Sequence, residues 1–308
     1  MQTLSVNEKL LLAKRLCDQT DAFFPKFFQI YPFTNENIAG YIDLFDAKDK
    51  SLLTVGSSAD QAINMIARGC KDITILDLCP FAKENFYLKS ATIQTLPRKE
   101  LMNLLMKKNP YMEKQNEDAF KIRKHKELME KLKEEDKDSY DFWNKLTSTI
   151  KPRTIRDYLF TSDQARNYVT EQINLYLQND DIYYETRKNL SQVTPKFITG
   201  DVTNVSLPEK YDNIILSNIA SYYEMPEIRK MFETFSNQLK PNGRLMLGYL
   251  FGTDEQTKFN SICRAIYDVE KIKQEFEGIE LKSFQGIQGI ECDINNLHDS
   301  VYVYQKKK

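Results

Sequence analysis

The sequence predicts an α/β protein built on a mostly parallel, doubly wound sheet, and three observations carry that reading. First, Ser51–Ser58 (SLLTVGSS) is a short apolar run that breaks into small residues, Ala59–Arg68 follows with helical spacing, and Gly69 fits a helix stop. Second, Ile73–Leu78 (ITILDL) is a β-branched run ending in an acid, and Pro80 opens a further helix to about Leu96. Strand and helix alternate twice within about 45 residues, the pattern of parallel strands joined by crossover helices. Third, the same grammar returns late in the chain. Lys196–Asp201 (KFITGD) and Tyr211–Asn218 (YDNIILSN) read as strands, Pro226–Leu239 as a helix, and LKPNGRLMLGYLF as a Pro-Asn-Gly turn entering a strand. Gln256–Phe276 reads as another helix. Ile279–Phe284 and Ser300–Gln305 read as terminal strands around a Gly-rich turn (QGIQGIECD).

Between these two halves the alternation stops. From Pro97 to about Leu190 there is no convincing strand, only helical stretches rich in Lys, Glu and Tyr. Phe120–Lys137 reads as one strongly charged helix with a thin apolar stripe, most simply a solvated face. An aromatic series follows: Tyr140, Phe142, Trp143, Tyr158, Phe160, Tyr168, Tyr176, Tyr183 and Tyr184. The block is too long for a loop in a compact domain. Residues 97–190 are therefore expected to form an all-helical insertion or cap, and 35–96 with 191–308 the sheet domain. Residues 1–34 form an N-terminal helical segment, with Leu4, Leu11, Leu12 and Leu16 on or near one face.

Composition narrows the function. Lys and Arg total 43 against 44 Asp and Glu, a net charge of −1, without the basic excess that phosphate neutralisation demands. Nucleic acid is disfavoured as a partner. No apolar stretch is long enough to span a bilayer, and the N-terminus lacks a signal-peptide core. Cys17, Cys70, Cys79, Cys263 and Cys292 are odd in number and lack CxxC spacing, which fits free thiols in a reducing cytoplasm. His125 and His298 lie far from any Cys, arguing against a zinc site and against His-based nucleophilic catalysis.

The residues that carry chemistry stand at strand ends, where open α/β sheets bind ligands. Gly56, Ser57, Ser58 and Ala59 end the first strand in small side chains that let backbone approach a ligand. They are not the GxGxxG of pyrophosphate binders, which disfavours NAD and FAD and favours a nucleoside without a diphosphate. Asp77, followed by Leu78, ends the second strand about 20 residues on, where a carboxylate can accept both ribose hydroxyls. Its bland alternative is a cap before Pro80. Asp201 and Val202 end the next strand: an acid there can meet an exocyclic amine and the following amide a ring nitrogen, or the acid can close an Asx turn. Asn218 ends the fourth, where ligand and acceptor would meet.

In this order the four elements resemble the class I S-adenosylmethionine-dependent methyltransferase superfamily, over about Asn35–Leu96 and Lys196–Gln305. The resemblance implies a Rossmann-like, seven-stranded sheet with a final antiparallel strand, S-adenosylmethionine as ligand, and Asn218 with Tyr222 near the reacting centre. More narrowly, the run from NIAGYIDLF through TVGSSADQAINMIARGCKDITILDLCP, with the later YDNIILSNIASYY, looks like a bacterial branch related to diacylglycerol 3-amino-3-carboxypropyl transferases. That group usually carries a second Gly where this chain has Ala59, a position bearing on positive φ. Asp60 and Gln61 match its pattern and become candidate ligand contacts, against their reading as a first helical turn. The resemblance also brings Tyr31, Glu36 and Asn37 forward as contacts from a segment folded over the methionine moiety. Alternatively, Thr34 is an N-cap with Asn37 nearby.

Three functions follow as expectations: methyl transfer to a small-molecule or lipid-like acceptor, 3-amino-3-carboxypropyl transfer from the same donor, or a non-catalytic binding module. Helices of the insertion, through Tyr158 or Tyr168, are expected to close the acceptor side. Stable membrane insertion is not expected, and the sequence leaves the oligomeric state open.

Overall fold

The computed structural model describes residues 4–18, 28–56, 58–106, 119–160, 167–219, 223, 225–248, 279–285 and 298–307. After α1 (Val6–Asp18) and the short α2 (Ile38–Tyr41), the chain alternates β1 (Ser51–Val55), α3 (Asp60–Ala67), β2 (Asp72–Asp77) and α4 (Ala82–Thr95). A helical stretch follows: α5 (Arg98–Leu105), α6 (Lys126–Glu135), α7 (Lys137–Thr149), α8 (Pro152–Thr154), α9 (Asn167–Ile173) and α10 (Asp180–Leu190). Then come β3 (Lys196–Thr199), β4 (Tyr211–Ile215), α11 (Met225–Asn237), β5 (Leu239–Leu247), β6 (Ile279–Gln285) and β7 (His298–Gln305). The proposed helix at Gln256–Phe276 and the Gly-rich turn before β7 lie outside the described residues.

The strands form one seven-stranded sheet in the order β3-β2-β1-β4-β5-β7-β6. β1 pairs in parallel with β2 and with β4, β2 with β3, and β4 with β5. β7 runs antiparallel to both β5 and β6. The expected Rossmann-like α/β class is what the chain adopts. Centrality explains the composition of β1: all five of its residues are buried, as a strand covered on both faces requires. The chain winds outward one way through β1, β2 and β3, and the other way through β4 and β5. The reversal between β1 and β4 opens a crevice at their carboxyl ends.

Strand alternation splits the apolar residues between two faces. Leu52, Ile73 and Ile75 join Ile63, Ile66 and Leu88 in one core. Leu53, Leu76, Ile214 and Leu245 join Ile228 and Phe232 of α11 in the other. The first core also takes in Leu128, Leu132, Phe142 and Trp143, so the helical stretch is continuous with the layer formed by α3 and α4. Trp143 lies wholly buried and donates its indole N–H to the Glu84 carbonyl at 2.9 Å. α1 joins the same layer through a buried Lys9–Glu84 ion pair at 2.7 Å. Among the described residues between 97 and 190 no strand enters the sheet, and the isolated parallel bridge of Phe160 to Ile30 lies apart from it. No helix among the described residues is long and apolar enough to cross a membrane.

Local chemistry corrects three sequence expectations. The charged helix over Phe120–Lys137 is interrupted, because Asp136 adopts extended backbone and accepts Ser139 N at 2.8 Å, capping α7 as a separate helix. On α1 the buried stripe is Leu10, Ala13, Leu16 and Cys17, whereas Leu11 is exposed. The Pro-Asn-Gly turn falls within β5, where the pairing with β4 shifts register and Asn242 takes a positive φ of 62°.

Ala59 stands before α3 with φ 66°, a left-handed conformation with no side-chain cap, and is wholly buried. An L-residue there carries roughly 1–2 kcal/mol of strain. Ala59→Gly is therefore expected to keep or raise the melting temperature. Ala59→Val, which adds β-branching and bulk at the same φ, should lower stability by about 2 kcal/mol or more in thermal melts.

Candidate functional site

At the carboxyl ends of β1, β2, β3 and β4 lies a cleft of about 450 Å³, within the size range of ligand sites. Its walls come from the strand ends and their turns: Val55, then Leu76, Asp77 and Leu78, then Gly200 and Val202, then Ser217, Asn218 and Ile219. Ser58 and Gln61 close it at the start of α3, and Tyr223 stands beyond β4. Gln29, Tyr31, Thr34, Asn35 and Glu36 line it from the segment before α2. Two carboxylates, Asp77 and Glu36, thus share a cleft whose wall, among the described residues, contains no Lys, Arg or His.

Asp77 is held by its own turn and by the turn after β1. Its Oδ2 accepts Gly56 N at 3.0 Å and its Oδ1 accepts Cys79 N at 2.8 Å. Burial pushes its pKa up to about 6, against the opposing pull of these amides and that of Leu78. Gly56 itself does not line the cleft. A Cβ there would stand 2.5 Å from Ile75 Cγ2 and 3.2 Å from Ala82 Cβ, so close packing of β1 on β2 and α4 imposes the glycine. This corrects the expectation that a ligand imposes it. Gly56 bears on the cleft through its amide, which holds Asp77.

Asp201 turns inward on its own loop. Its Oδ1 accepts Thr203 N and Thr203 Oγ1, each at 2.8 Å, and Tyr223 OH at 3.3 Å. Burial raises its pKa, but these three bonds outweigh burial and set it below the ordinary carboxylate range. The Asx-turn reading therefore describes the Asp201 side chain, while its neighbours Gly200 and Val202 form the wall.

Asp60 departs most from expectation. It is wholly buried beneath the cleft and does not line it. Its Oδ1 accepts Lys89 Nζ at 2.7 Å and Tyr176 OH at 2.8 Å, and its Oδ2 accepts Thr34 N at 2.6 Å. Lys89 Nζ also donates to the Ser58 carbonyl at 2.6 Å and lies 4.5 Å from the Phe33 ring centroid. Burial pushes the Lys89 pKa down while the Asp60 carboxylate holds it up. The same burial, with Asp60 beside it, sends the Tyr176 phenol well above its ordinary range. Sequence reasoning missed both partners. Lys89 looks like any solvated helix lysine, and its one signal is the uncharged run around it (Leu88, Ser90, Ala91, Thr92).

Gln61 does line the cleft. Its Nε2 donates to Ser217 Oγ at 3.0 Å, and its buried Oε1 has no partner among the described residues. Ser217 Oγ in turn bonds to Glu36 Oε1, which also accepts Asn218 N at 3.2 Å, and Tyr41 OH reaches Glu36 Oε2 at 3.3 Å. Ser217 takes a positive φ of 57°, and Gly248 N holds its carbonyl at 2.8 Å. Such strain persists only where surroundings enforce it, and it is frequent at functional sites. The structure thus brings Ser58, Gln61, Asp77, Leu78, Val202 and Asn218 to one cleft, together with Tyr31 and Glu36. Asn37 caps α2 by accepting Gly40 N instead, and Thr34 Oγ1 accepts Glu36 N. Tyr158 is exposed and does not line the cleft. Ser57, Tyr222 and the Tyr168 side chain lie outside the described residues. Among the described residues no cluster of three or more His, Cys, Asp or Glu could hold a metal ion.

No family model matches the chain, and no curated relative matches it. Solved structures with a similar chain path include the N-methyltransferase NodS from Bradyrhizobium japonicum WM9, at 11% identity and TM-score 0.39 over 98% of this chain and 96% of that one. The glycopeptide N-methyltransferase MtfA in complex with S-adenosyl-L-homocysteine gives 8%, 0.43, 93% and 96%. Magnesium protoporphyrin IX methyltransferase from Synechocystis PCC 6803 with bound S-adenosylmethionine gives 9%, 0.37, 100% and 86%. Likeness at this level bears on neither ligand nor reaction.

The Asp60–Lys89 pair yields a stability prediction. Lys89→Met leaves a buried carboxylate without its cation and should cost about 3–5 kcal/mol in denaturant unfolding. Lys137→Met, which removes an exposed i,i+4 partner of Asp141, should leave the midpoint nearly unchanged. Equal effects would contradict the role assigned to Asp60.

Proposed function

We propose that the chain binds S-adenosylmethionine in this cleft and transfers its methyl group to an acceptor. One observation supports this above the rest: Asp77. Cys79 N from its own turn holds one oxygen and Gly56 N from the turn after β1 holds the other, which fixes the carboxyl while leaving acceptor capacity toward the cleft. A pair of adjacent ribose hydroxyls meets that requirement. Leu78, Val202 and Ile219 supply apolar wall suited to a purine, and the small turn at Gly200 admits it closely. The residues present therefore fit a nucleoside.

When bound, the sulfonium donor supplies an electrophilic carbon: an acceptor lone pair forms the new bond, and the C–S pair returns to sulfur as a thioether. The protein's part is alignment and water exclusion. Asp77 would anchor one end of the donor, the segment bearing Tyr31 and Glu36 would cover it, and Asn218 would act near the acceptor. Such chemistry needs no protein nucleophile.

Calorimetry with S-adenosylmethionine should show binding, and Asp77→Ala should weaken it by about 1–3 kcal/mol. The pH dependence has a definite sign. The ionised carboxylate accepts the hydroxyls and its pKa stands at about 6, so affinity is full above pH 6 and falls as pH drops through that value. Asp77→Asn should bind weakly with no such inflection. Asn218→Ala should depress turnover more than donor affinity, because it acts on alignment. Product analysis separates the reactions: S-adenosylhomocysteine marks methyl transfer, methylthioadenosine the 3-amino-3-carboxypropyl alternative. Tight binding of NAD with none of S-adenosylmethionine would overturn the proposal.

A further inference from the structure

The Asp60 carboxylate divides its two oxygens between different parts of the molecule. Oδ1 takes Lys89 Nζ of α4 at 2.7 Å and Tyr176 OH at 2.8 Å. Oδ2 takes Thr34 N at 2.6 Å, its one partner among the described residues. Asp60, Lys89 and Tyr176 are wholly buried, so a lost donor is not replaced by bulk water. Burial and the neighbouring carboxylate hold the Tyr176 phenol well above its ordinary range, so it stays protonated and donates.

Tyr176 stands in the turn Leu175–Leu177, between α9 and α10. A second clamp docks that turn independently of its hydroxyl. Leu175 N donates to Asn64 Oδ1 at 2.6 Å, and Asn64 Nδ2 donates to Asn174 Oδ1 at 2.9 Å. A phenyl ring would fill the same buried space, so the distinct effect of the hydroxyl is on Asp60. Two donors on Oδ1 fix the carboxyl plane and present Oδ2 to Thr34. Thr34 carries the path onward: it lines the cleft, and its Oγ1 accepts Glu36 N at 3.0 Å. At its other end the same segment is held by Ile30 N on the Leu159 carbonyl at 3.0 Å and Gln29 Nε2 on the Tyr158 carbonyl at 3.1 Å. The segment over the cleft is thus pinned to the helical stretch at two points, once directly and once through Asp60.

From this arrangement we infer that Tyr176 is a positioning residue, which acts through Asp60 to hold the Thr34 end of the segment over the cleft. Tyr176 does not line the cleft itself. Its effect on a ligand, which rests on the proposed function for the ligand's identity, is therefore indirect. A segment ordered before the ligand arrives draws nothing from the binding energy for its own ordering. Loss of the hydroxyl frees the Asp60 carboxyl to turn, loosens Thr34 and returns that cost to binding. A residue of the helical stretch is in this way coupled to the occupancy of the sheet's crevice.

Comparing Tyr176→Phe with Tyr183→Phe tests this. Tyr183 is equally buried, and its OH donates to the Leu96 carbonyl at 3.0 Å. The second variant therefore loses a buried phenol bond of the same helical stretch, but away from Asp60. Thermal melts check that both fold. Two quantities are read: amide hydrogen exchange at Thr34 in the free protein, and S-adenosylhomocysteine affinity by calorimetry. Tyr176→Phe should speed Thr34 exchange about tenfold and weaken S-adenosylhomocysteine about three- to tenfold, while Tyr183→Phe leaves both within about twofold. Unchanged exchange, unchanged affinity, or equal effects in the two variants would overturn the inference. Failure of wild type to bind S-adenosylhomocysteine would instead count against the donor assignment. Faster Thr34 exchange confined to Tyr176→Phe would then still establish that Tyr176 holds the segment, and its absence would still refute it.

Discussion

The buried ion pair between Asp60 and Lys89 ties together the parts that make the cleft. Asp60 opens α3, Lys89 belongs to α4, Thr34 lies on the segment over the cleft, and Tyr176 belongs to the helical stretch, yet the last three converge on the Asp60 carboxylate. Lys89 adds the Ser58 carbonyl, the turn after β1, to the same cluster. Removing two charges from water costs several kcal/mol per ion unless geometry and extra hydrogen bonds offset it. Here every partner around the pair supplies one. The gain is less in net stability than in position: the pair fixes where the β1 turn, the covering segment and the helical layer meet.

That constraint explains the strained backbone nearby. Ala59 is held left-handed between Gly56, whose carbonyl takes its amide, and the buried Asp60 that starts α3. Ser217 is held left-handed by Gly248 and by its bonds to Gln61 and Glu36. Each strained residue lies in the turn after a strand that flanks the reversal of the sheet, and each is followed by a residue that belongs to the site or its support. Two rigid turns set at fixed separation make a preformed cleft, and a preformed cleft spends little binding energy on ordering itself.

Much of the fold was legible in the sequence because period and punctuation are local. The alternation in SLLTVGSS and ITILDL, and the helix between them, follow from side-chain spacing alone. Asp77, Val202 and Asn218 were legible for the same reason, since strand ends are marked by where apolar runs stop. What stayed hidden depends on contacts far apart in the chain. Asp60 looked like a ligand residue until Lys89 and Tyr176, 29 and 116 positions away, claimed it. Gly56 looked like a ligand approach until Ile75 and Ala82 were seen against it. The Asp136 break in the charged helix shows the opposite limit: the cap was in view, but strong helical periodicity on either side masked it.

The proposed function depends on a nucleoside occupying the crevice between the ends of β1, β2, β3 and β4, with its ribose on Asp77. A crystal structure of the protein soaked with S-adenosylhomocysteine tests this most directly. Density is expected in that crevice, with ribose hydroxyls within hydrogen-bond reach of both Asp77 oxygens and the purine against Leu78 and Val202. Density elsewhere, or a ribose turned away from Asp77 at full occupancy, would contradict it.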